Sequence, residues 1–396
     1  MYIILKARYA VITVVFLTFA IVMFVTEKIP LGLTSMIVCI GLVITGVLSV
    51  GDAFNGFVNS NVILFVAMFI VGGALFETGM ANEIGSLVTK FARTKRGLIV
   101  AIMVIVGMMS GFLSNTGTAA VLIPVVIGIA AKSGYKRSRL LMPLVFAAAM
   151  GGNLSLIGGF LFYATVGFKI LPNHDTVDTE NSIFDESKDF SQVPKWKKVL
   201  SLVILIVTMI GMIFEEELGI KLCITGCVGA VLLLLTGVIS EKDALKSIDL
   251  KTIFLFGGTL SLAKALETTG AGKLIADRVI GALGENPSPV VFTFAVFILC
   301  CIMTNFMSNT ATTAMMAPIC VSIAQGMGAD PRAVLMACVI GGSCAYATPI
   351  GMPANTMVVG AGNYKFMNYV KAGMPLIVIA TVISMILLPI AFPFYP

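Results

Sequence analysis

Apolar runs of about 20 residues recur along the whole chain, and short polar or charged stretches separate them. An α-helix needs a run of about that length to cross a bilayer. The pattern predicts spans over residues 10–26, 32–50, 61–80, 138–157, 198–214, 219–239, 252–269, 332–350 and 369–393. Because backbone groups in lipid must be satisfied within their own segment, we expect an all-α polytopic membrane protein.

Two further apolar segments, 97–131 and 289–326, are each interrupted by Ser-Asn-Thr. The stretches GFLSNTGTAAVLIP (111–124) and NFMSNTATTAMMAP (305–318) align without a gap, and matched positions are 194 residues apart. Neither interruption carries the Lys, Arg, Trp or Tyr that usually anchors a span at the membrane surface. We therefore expect two re-entrant helical hairpins whose tips stop inside the bilayer. Two ordinary spans joined at the surface are the alternative.

The interrupted segments belong to a longer internal repeat. TGVLSVGDAF (45–54) resembles TGVISEKDAL (236–245), and ALFETG (74–79) resembles ALETTG (265–270). These matches and the hairpins share offsets of 191 to 194 residues, as expected for one duplicated unit. The repeat divides the chain into a first repeat over 1–171, a polar loop over 172–196 and a second repeat over 197–396.

The loops of the two repeats differ in charge. Basic residues flank the first hairpin, and they are Lys90, Arg93, Lys95, Arg96, Lys132, Lys136, Arg137 and Arg139. The corresponding loops of the second repeat have fewer basic residues, and Asp277, Glu285 and Asp330 occur there. Short basic loops usually mark the cytoplasmic side. We therefore expect the repeats to face opposite ways, as in inverted-repeat transporters.

The composition excludes several classes of function. Hydrophobic residues make up 58% of the 396 residues and charged residues 12%, against roughly a quarter charged in soluble domains. The net charge of +6 lies in loops and does not indicate nucleic-acid binding. The eight cysteines lie in apolar segments, where packing is their expected role. The sequence holds no evident cluster of acid, base or nucleophile, so we do not expect an enzyme.

The Ser-Asn-Thr interruptions combine two kinds of binding group. Where the second arm of a hairpin begins, its first amides are unpaired and carry the positive end of the helix dipole, which attracts anions. The carbonyls that end the first arm, together with hydroxyl and amide oxygens, suit a cation such as Na⁺. The alternative is that Ser, Asn and Thr act only as N-caps. Two matched copies favour the binding function.

A second kind of break lies in YATPIGMPANT (346–356). Pro349, Gly351 and Pro353 cannot all lie within an unbroken helix. No charged residue occurs between Arg332 and Lys365, so the break is deep in an apolar stretch. We expect a broken transmembrane helix whose opening faces the hairpin tip, and a simple proline kink is the alternative.

At these residues the chain resembles the divalent anion/sodium symporter family of the ion transporter superfamily, whose members carry dicarboxylates, citrate and sulfate. That family has an inverted repeat with two hairpins tipped by Ser-Asn-Thr and two broken helices. The resemblance covers about residues 10–393. It implies one sodium site at Ser110, Ser114, Asn115 and Gly158 and another at Thr304, Met307, Asn309 and Gly351. It also implies that substrate carboxylates bind Asn115, Thr116, Asn309 and Thr310 near Pro353, in a homodimer that moves by an elevator mechanism.

The sequence departs from the family pattern in both repeats. In the second, the family's Thr-Pro-Pro-Asn is replaced by Met-Pro-Ala-Asn at 352–355. In the first, no Pro-Pro-Asn turn follows Gly159, and roughly 30 residues are missing relative to the repeat partner. Either the stretch 160–171 crosses a thinned membrane, or the chain is a deletion variant with a damaged first site.

The leading hypothesis is a multi-pass cell-membrane transporter that couples Na⁺ to symport of a small divalent anion such as a C4-dicarboxylate, citrate or sulfate. Its expected partners are this anionic substrate, the lipid bilayer and a second copy of the chain, without nucleic acid. An arsenite or Na⁺/H⁺ antiporter of the same superfamily is the alternative. Residues 286–329 carry no charge, although proton-coupled carriers usually keep a carboxylate in the membrane. A transport-impaired deletion variant that acts as a scaffold or sensor also stays open.

Overall fold

The computed structural model describes residues 2–81, 83, 94–111, 114–133, 135–151, 162–163, 165, 167–172, 190, 193–282, 284 and 287–395. Every regular element within these ranges is a helix. The all-α class that the hydrophobic pattern predicts is therefore confirmed for this part of the chain.

The helices up to the first hairpin and its neighbours are α1 (Tyr2–Thr26), α2 (Leu31–Ile44), α3 (Val50–Phe54), α4 (Ser60–Glu77), α5 (Lys95–Ser110), α6 (Asn115–Ser133) and α7 (Arg137–Met150). Those that follow, up to the second hairpin, are α8 (Lys195–Ile213), α9 (Glu215–Leu218), α10 (Leu222–Leu235), α11 (Glu241–Lys246), α12 (Leu250–Thr268) and α13 (Ala271–Gly281). The last are α14 (Pro289–Thr304), α15 (Asn309–Gly326), α16 (Arg332–Gly342), α17 (Pro353–Ala361) and α18 (Phe366–Ala391). Short 3₁₀ helices cover Asn55–Val58 and Gly167–Lys169.

Several helices have the length and composition of membrane spans. Four in the described ranges are long and apolar enough to cross a bilayer, and they are Ala7–Thr26, Val50–Glu77, Lys195–Ile213 and Phe366–Ala391. Shorter apolar helices include both arms of the first interrupted segment and the first arm of the second. Large apolar side chains such as Ile44, Leu235 and Ile390 are more than two-thirds exposed, which suits helices that face lipid. The protein is therefore a membrane protein with several apolar helices.

Matched glycines end matched helices in the two repeats. Gly46 and Gly237 follow α2 and α10 with φ of 72° and 67°, and Gly79 and Gly270 follow α4 and α12 with φ of 76° and 74°. Positive φ strongly favours glycine, which is why it ends helices so often. Both pairs are 191 residues apart. The duplication is thus visible in the backbone at these turns, and its inversion stays a prediction.

The chain forms two compact units that draw on both halves of the sequence. The first-hairpin unit comprises Val58–Ile253 and Pro353–Lys365, and the second-hairpin unit comprises Met1–Phe57, Phe254–Met352 and Phe366–Pro396. These units follow packing, so the division into repeats over 1–171 and 197–396 stays a prediction.

Within the first-hairpin unit, α6 packs against α4, α7 and α17, and α5 packs against α7. A glycine allows one of these approaches, because a Cβ at Gly72 of α4 would lie 2.8 Å from Pro124 Cγ of α6. Within the second-hairpin unit, α16 packs against α14, α15 and α18. Here a Cβ at Gly341 of α16 would lie 2.7 Å from the Phe297 carbonyl oxygen of α14. In each unit a small residue therefore lets a hairpin arm contact its neighbour closely.

Candidate functional site

Both interrupted segments break where the sequence predicts, and the position of their tips inside the bilayer stays a prediction. The first arm α5 ends at Ser110 and the second arm α6 begins at Asn115; in the second segment α14 ends at Thr304 and α15 begins at Asn309. The serine before each second arm caps it. The Ser114 hydroxyl accepts from the Gly117 amide, the Ser308 hydroxyl accepts from the Ala311 amide, and both distances are 3.1 Å. Such capping satisfies a helix-end amide and fixes where the arm starts.

A cluster of three oxygens lies at the first break. Ser110 is buried, and its hydroxyl lies 2.9 Å from Asn115 Oδ1 and 2.6 Å from the Ala148 carbonyl oxygen. Ala148 belongs to the last turn of α7, and its carbonyl also accepts from the amide of the C-cap residue Gly151 at 3.4 Å. The cluster therefore joins both hairpin arms to the end of the next helix.

The second break repeats this cluster atom for atom. Thr304 is fully buried, and its hydroxyl lies 2.7 Å from Asn309 Oδ1 and 2.5 Å from the Gly342 carbonyl oxygen. Gly342 is the last residue of α16. Each of the three residues is 194 positions from its counterpart at the first break. The match thus extends from the sequence motif to the hydrogen-bond geometry, and we call these two sets the oxygen clusters.

The oxygen clusters have the chemistry of a cation site. A hydroxyl carries one hydrogen, so it can donate to the carbonyl or to the amide oxygen and not to both at once. Hard cations prefer carbonyl, amide and hydroxyl oxygens as ligands. The C-terminal ends of α7 and α16 add the negative end of a helix dipole, which favours positive charge. The residues present therefore fit Na⁺ at each break.

The starts of the second arms have the opposite polarity. Asn115 and Asn309 are the first residues of α6 and α15, where the leading amides lie at the positive end of the helix dipole. Thr116, which is half-buried, and Thr310, which is exposed, follow directly. A helix N-terminus with an adjacent hydroxyl can bind a carboxylate without a basic side chain. Each break thus offers groups for a cation and for an anion.

A further break, between α16 and α17, lies over 343–352. The expected span 332–350 is too long, because α16 already ends at Gly342. Two adjacent glycines, Gly341 and Gly342, followed by Ser343 disfavour helix at this point. The helix resumes at Pro353, so the predicted breakage is confirmed and begins earlier than Pro349.

Asn305 fastens this break to the second hairpin. Its amide nitrogen donates to the Cys301 carbonyl at 2.6 Å and to the Cys344 carbonyl at 3.4 Å, and its Oδ1 accepts from the Ala347 amide at 3.1 Å. The Thr348 hydroxyl donates to the Asn305 carbonyl at 2.8 Å. The sequence analysis missed Asn305 as a site residue. Its only sequence signal is an Asn within the uncharged residues 286–329.

The sequence-predicted residues of the second site lie close to one another. The Gly351 amide donates to the Thr348 hydroxyl at 3.1 Å, and a Cβ at Gly351 would lie 2.9 Å from the Thr304 carbonyl oxygen. Met307 is buried at the turn between the two arms. The structure therefore brings Thr304, Asn309 and Gly351 to one place in the second-hairpin unit. Their role as sodium ligands stays a prediction.

The first site is described less completely. Ser110, Ser114, Asn115 and Thr116 lie together at the break between α5 and α6, whereas Gly158 lies outside the described residues. Pro353 is the first residue of α17, which packs against α6 and α7. The helix α17, which follows the 343–352 break, thus belongs to the first-hairpin unit. The sequence did not predict this. No cluster of His, Cys, Asp and Glu suited to a metal occurs in the described ranges.

Comparisons with known proteins agree with these features. A family model described as citrate transporter matches residues 21–341. An uncharacterized transporter from Haemophilus influenzae is 26% identical, over 93% of this chain and 88% of its own length. The uncharacterized transporter YfbS from Escherichia coli is 22% identical, over 96% of this chain and 98% of its own length. The sodium-dependent dicarboxylate transporter SdcS from Staphylococcus saprophyticus is 22% identical, over 92% of this chain and 84% of its own length.

The matched range contains both Ser-Asn-Thr breaks. The relatives are described as transporters and none of these three as an enzyme. The resemblance that the sequence analysis stated is therefore confirmed at the level of the family, and the protein is a membrane transporter. Since the family model covers most of its length, the chain belongs to the citrate transporter family.

Proposed function

We propose that the protein couples Na⁺ to the symport of a small divalent anion, of the class that includes C4-dicarboxylates, citrate and sulfate. The observation that carries this proposal is the pair of oxygen clusters. Each gathers a hydroxyl, an amide oxygen and a helix-end carbonyl beside the N-terminus of a helix. The sodium-dependent dicarboxylate transporter among the relatives supports the same ion and substrate class.

Charge balance explains why the anion and cations would travel together. The hairpin residues 97–131 contain no charged side chain, and neither do residues 286–329. A doubly charged anion in such surroundings loses its hydration without a counter-charge, which is strongly unfavourable. Na⁺ bound at the oxygen clusters would supply that counter-charge. Substrate affinity would therefore depend on Na⁺, and this dependence is the physical basis of coupling.

The proposed roles follow the groups that each residue offers. Ser110, Ser114, Asn115 and Gly158 hold one Na⁺, and Thr304, Met307, Asn309 and Gly351 hold another. Asn115, Thr116, Asn309, Thr310 and Pro353 contact the anion. The working state is a homodimer in the cell membrane.

Uptake of radiolabelled succinate into proteoliposomes tests this function. We expect uptake to require an inward Na⁺ gradient and to fall when choline replaces Na⁺, with citrate and sulfate compared as competitors. Asn115→Ala and Asn309→Ala should each lower uptake at least about tenfold, because each removes an oxygen ligand. Asn61→Ala serves as the control, since Asn61 lies in the first turn of α4 and outside both hairpins.

Uptake of all three anions that is indifferent to Na⁺ and unchanged in both hairpin variants would refute the substrate class and the site. Proton flux driven by a Na⁺ gradient, without anion uptake, would identify an antiporter instead. Succinate binding without flux would indicate a scaffold or sensor.

A further inference from the structure

Two buried threonines in the second arms of the hairpins have hydroxyls without a partner in the part of the chain that the structure describes. Thr118 of α6 and Thr312 of α15 are both fully buried. Neither hydroxyl oxygen has a hydrogen-bond partner among the residues that the structure describes. The two positions are 194 residues apart, as are the members of the oxygen clusters.

Other buried helical threonines in this chain behave differently. Thr13, Thr259 and Thr381 each donate to the carbonyl four residues earlier, at 2.7 to 2.9 Å. That bond is the usual way for a threonine to satisfy its hydroxyl inside a helix. At Thr118 and Thr312 a carbonyl four residues earlier is also within reach. The Thr118 amide donates to the Ser114 carbonyl and the Thr312 amide to the Ser308 carbonyl, both at 2.9 Å. Neither hydroxyl forms this bond, and neither has another partner among the described residues.

Helix geometry indicates the direction of these side chains. Side chains on an α-helix incline toward its N-terminus and lie over residues three and four positions earlier. For Thr118 those residues are Asn115 and Ser114, and for Thr312 they are Asn309 and Ser308. Each threonine side chain therefore lies on the helix face that carries the asparagine of an oxygen cluster. A buried polar group without a partner is unfavourable unless a ligand or a water fills the place.

We propose that the hydroxyls of Thr118 and Thr312 each supply a further oxygen ligand to the Na⁺ held at their own break. This inference rests on the proposed function. The ion would bind at the helix ends of each break. The threonine lies one turn farther along the second arm, so its bond to the ion would link that arm to the ion. A bound water at the same place is the competing explanation.

Thermal unfolding of the purified full-length protein tests the inference without substrate. The midpoint of Na⁺-dependent stabilisation is measured by titrating NaCl against choline chloride at constant ionic strength. Thr118→Val and Thr312→Val keep the shape of the side chain and remove the hydroxyl. We expect each to raise the Na⁺ midpoint at least about tenfold. In choline alone each should be as stable as the wild type or more stable, because an unpaired buried hydroxyl is removed.

Two kinds of control accompany these variants. Thr118→Ser and Thr312→Ser retain the hydroxyl and should keep the Na⁺ midpoint within about threefold of the wild type. Thr225 of α10 lies outside both hairpins and also has a buried hydroxyl without a partner in the described ranges. Thr225→Val should therefore raise stability in choline without changing the Na⁺ midpoint.

The outcomes separate this inference from the proposed function. If Na⁺ stabilises the wild type and both valine variants keep its midpoint, the threonines are not ligands and the hydroxyls hold water. If the valine variants instead lose succinate affinity at saturating Na⁺, the hydroxyls contact substrate and the inference is overturned. If Na⁺ neither stabilises the wild type nor drives its uptake, the inference and the proposed function fail together.

Discussion

The two hairpin breaks share their binding groups and differ in the contacts that hold them to the neighbouring chain. Both have the hydroxyl, asparagine and helix-end carbonyl of an oxygen cluster, and both have a serine cap. After Thr304, however, comes Asn305, which bonds to the 343–352 break, whereas Gly111 follows Ser110 and has no side chain with which to do so. The groups that can touch an ion are thus the same in both copies, while the support around them has diverged.

The surroundings of the second arms differ as well. In the first-hairpin unit Pro124 packs on Gly72 of α4. The matching proline of the second arm, Pro318, is exposed. The second arm of the first break thus has its proline packed against α4, whereas the second break has the hydrogen bonds of Asn305. Substitutions should therefore affect the two breaks through different mechanisms.

The largest expected effect is on which side of the membrane the two matching loops can be labelled. Lys136 lies in the basic loop after the first hairpin, and Arg332 lies in the matching loop after the second. If the repeats are inverted, Lys136→Cys and Arg332→Cys should react with a membrane-impermeant maleimide from opposite sides. We expect Lys136→Cys to be labelled only in inverted vesicles and Arg332→Cys only in intact cells.

The native cysteines favour a low background in this experiment, because all but the half-buried Cys227 are buried. The unsubstituted protein measures that background under both conditions. Labelling of both new cysteines from the same side would mean that the repeats are parallel, and the comparison of the two breaks would then lose its symmetry.

The next effect distinguishes the two ways of fastening a break. Asn305→Ala removes buried hydrogen bonds to the Cys301 carbonyl and the Ala347 amide. We expect the free energy of unfolding to fall by about 2–4 kcal/mol, since buried polar groups lose their partners. The matched variant Gly111→Ala should change it by less than about 1 kcal/mol, because Gly111 already has a right-handed helical backbone with φ of −70° and ψ of −22°.

Thermal or denaturant unfolding of both variants in detergent provides these values. Equal losses in the two variants would show that the breaks are supported alike, and the assignment of Asn305 as the fastening residue would be wrong. Asn305→Ala should also weaken Na⁺ affinity, because the oxygen cluster of the second hairpin would be held less firmly in place.

Local chemistry explains which parts of this structure the sequence could predict. The starts of α6 and α15 follow from a serine cap and from residues that favour a helix end, so the motif placed them correctly. The early end of α16 also had a local signal, the Gly341-Gly342-Ser343 triplet, which the prolines farther along obscured. Periodic apolar runs located most of the remaining helices because burial and lipid contact both require them.

Long-range contacts explain what the sequence could not predict. The bonds of Asn305 join residues about 40 positions apart, and no spacing rule connects them. The placement of α17 against α6 and α7 is likewise a matter of tertiary packing. Thr118 and Thr312 lie at matched positions of the two aligned stretches. Their distinctive property is that neither hydroxyl has a partner among the described residues, which only the three-dimensional structure reveals.

The smallest expected effect lies in the loops outside the membrane, where the repeats differ in charge. Asp330 and Arg332 form an exposed ion pair with 2.6 Å between Oδ2 and Nη2. The hydrogen bond from the Arg332 side chain holds the pKa of Asp330 below its ordinary value. At a pH between the lowered and the ordinary pKa, the native state therefore binds fewer protons than the unfolded state. The resulting stability is complete above the ordinary pKa and is lost as the pH falls through the lowered one.

Unfolding temperatures measured as a function of pH check this effect. Arg332→Ala should lower stability slightly at neutral pH and merge with the wild type under strongly acidic conditions, because the carboxylate is then protonated in both. The effect stays small since solvent screens an exposed pair. The matching first-repeat residue, Lys136, puts positive charge where Asp330 stands. Lys136→Ala should accordingly lack this acid dependence, and an equal dependence would place its cause outside the Asp330–Arg332 pair.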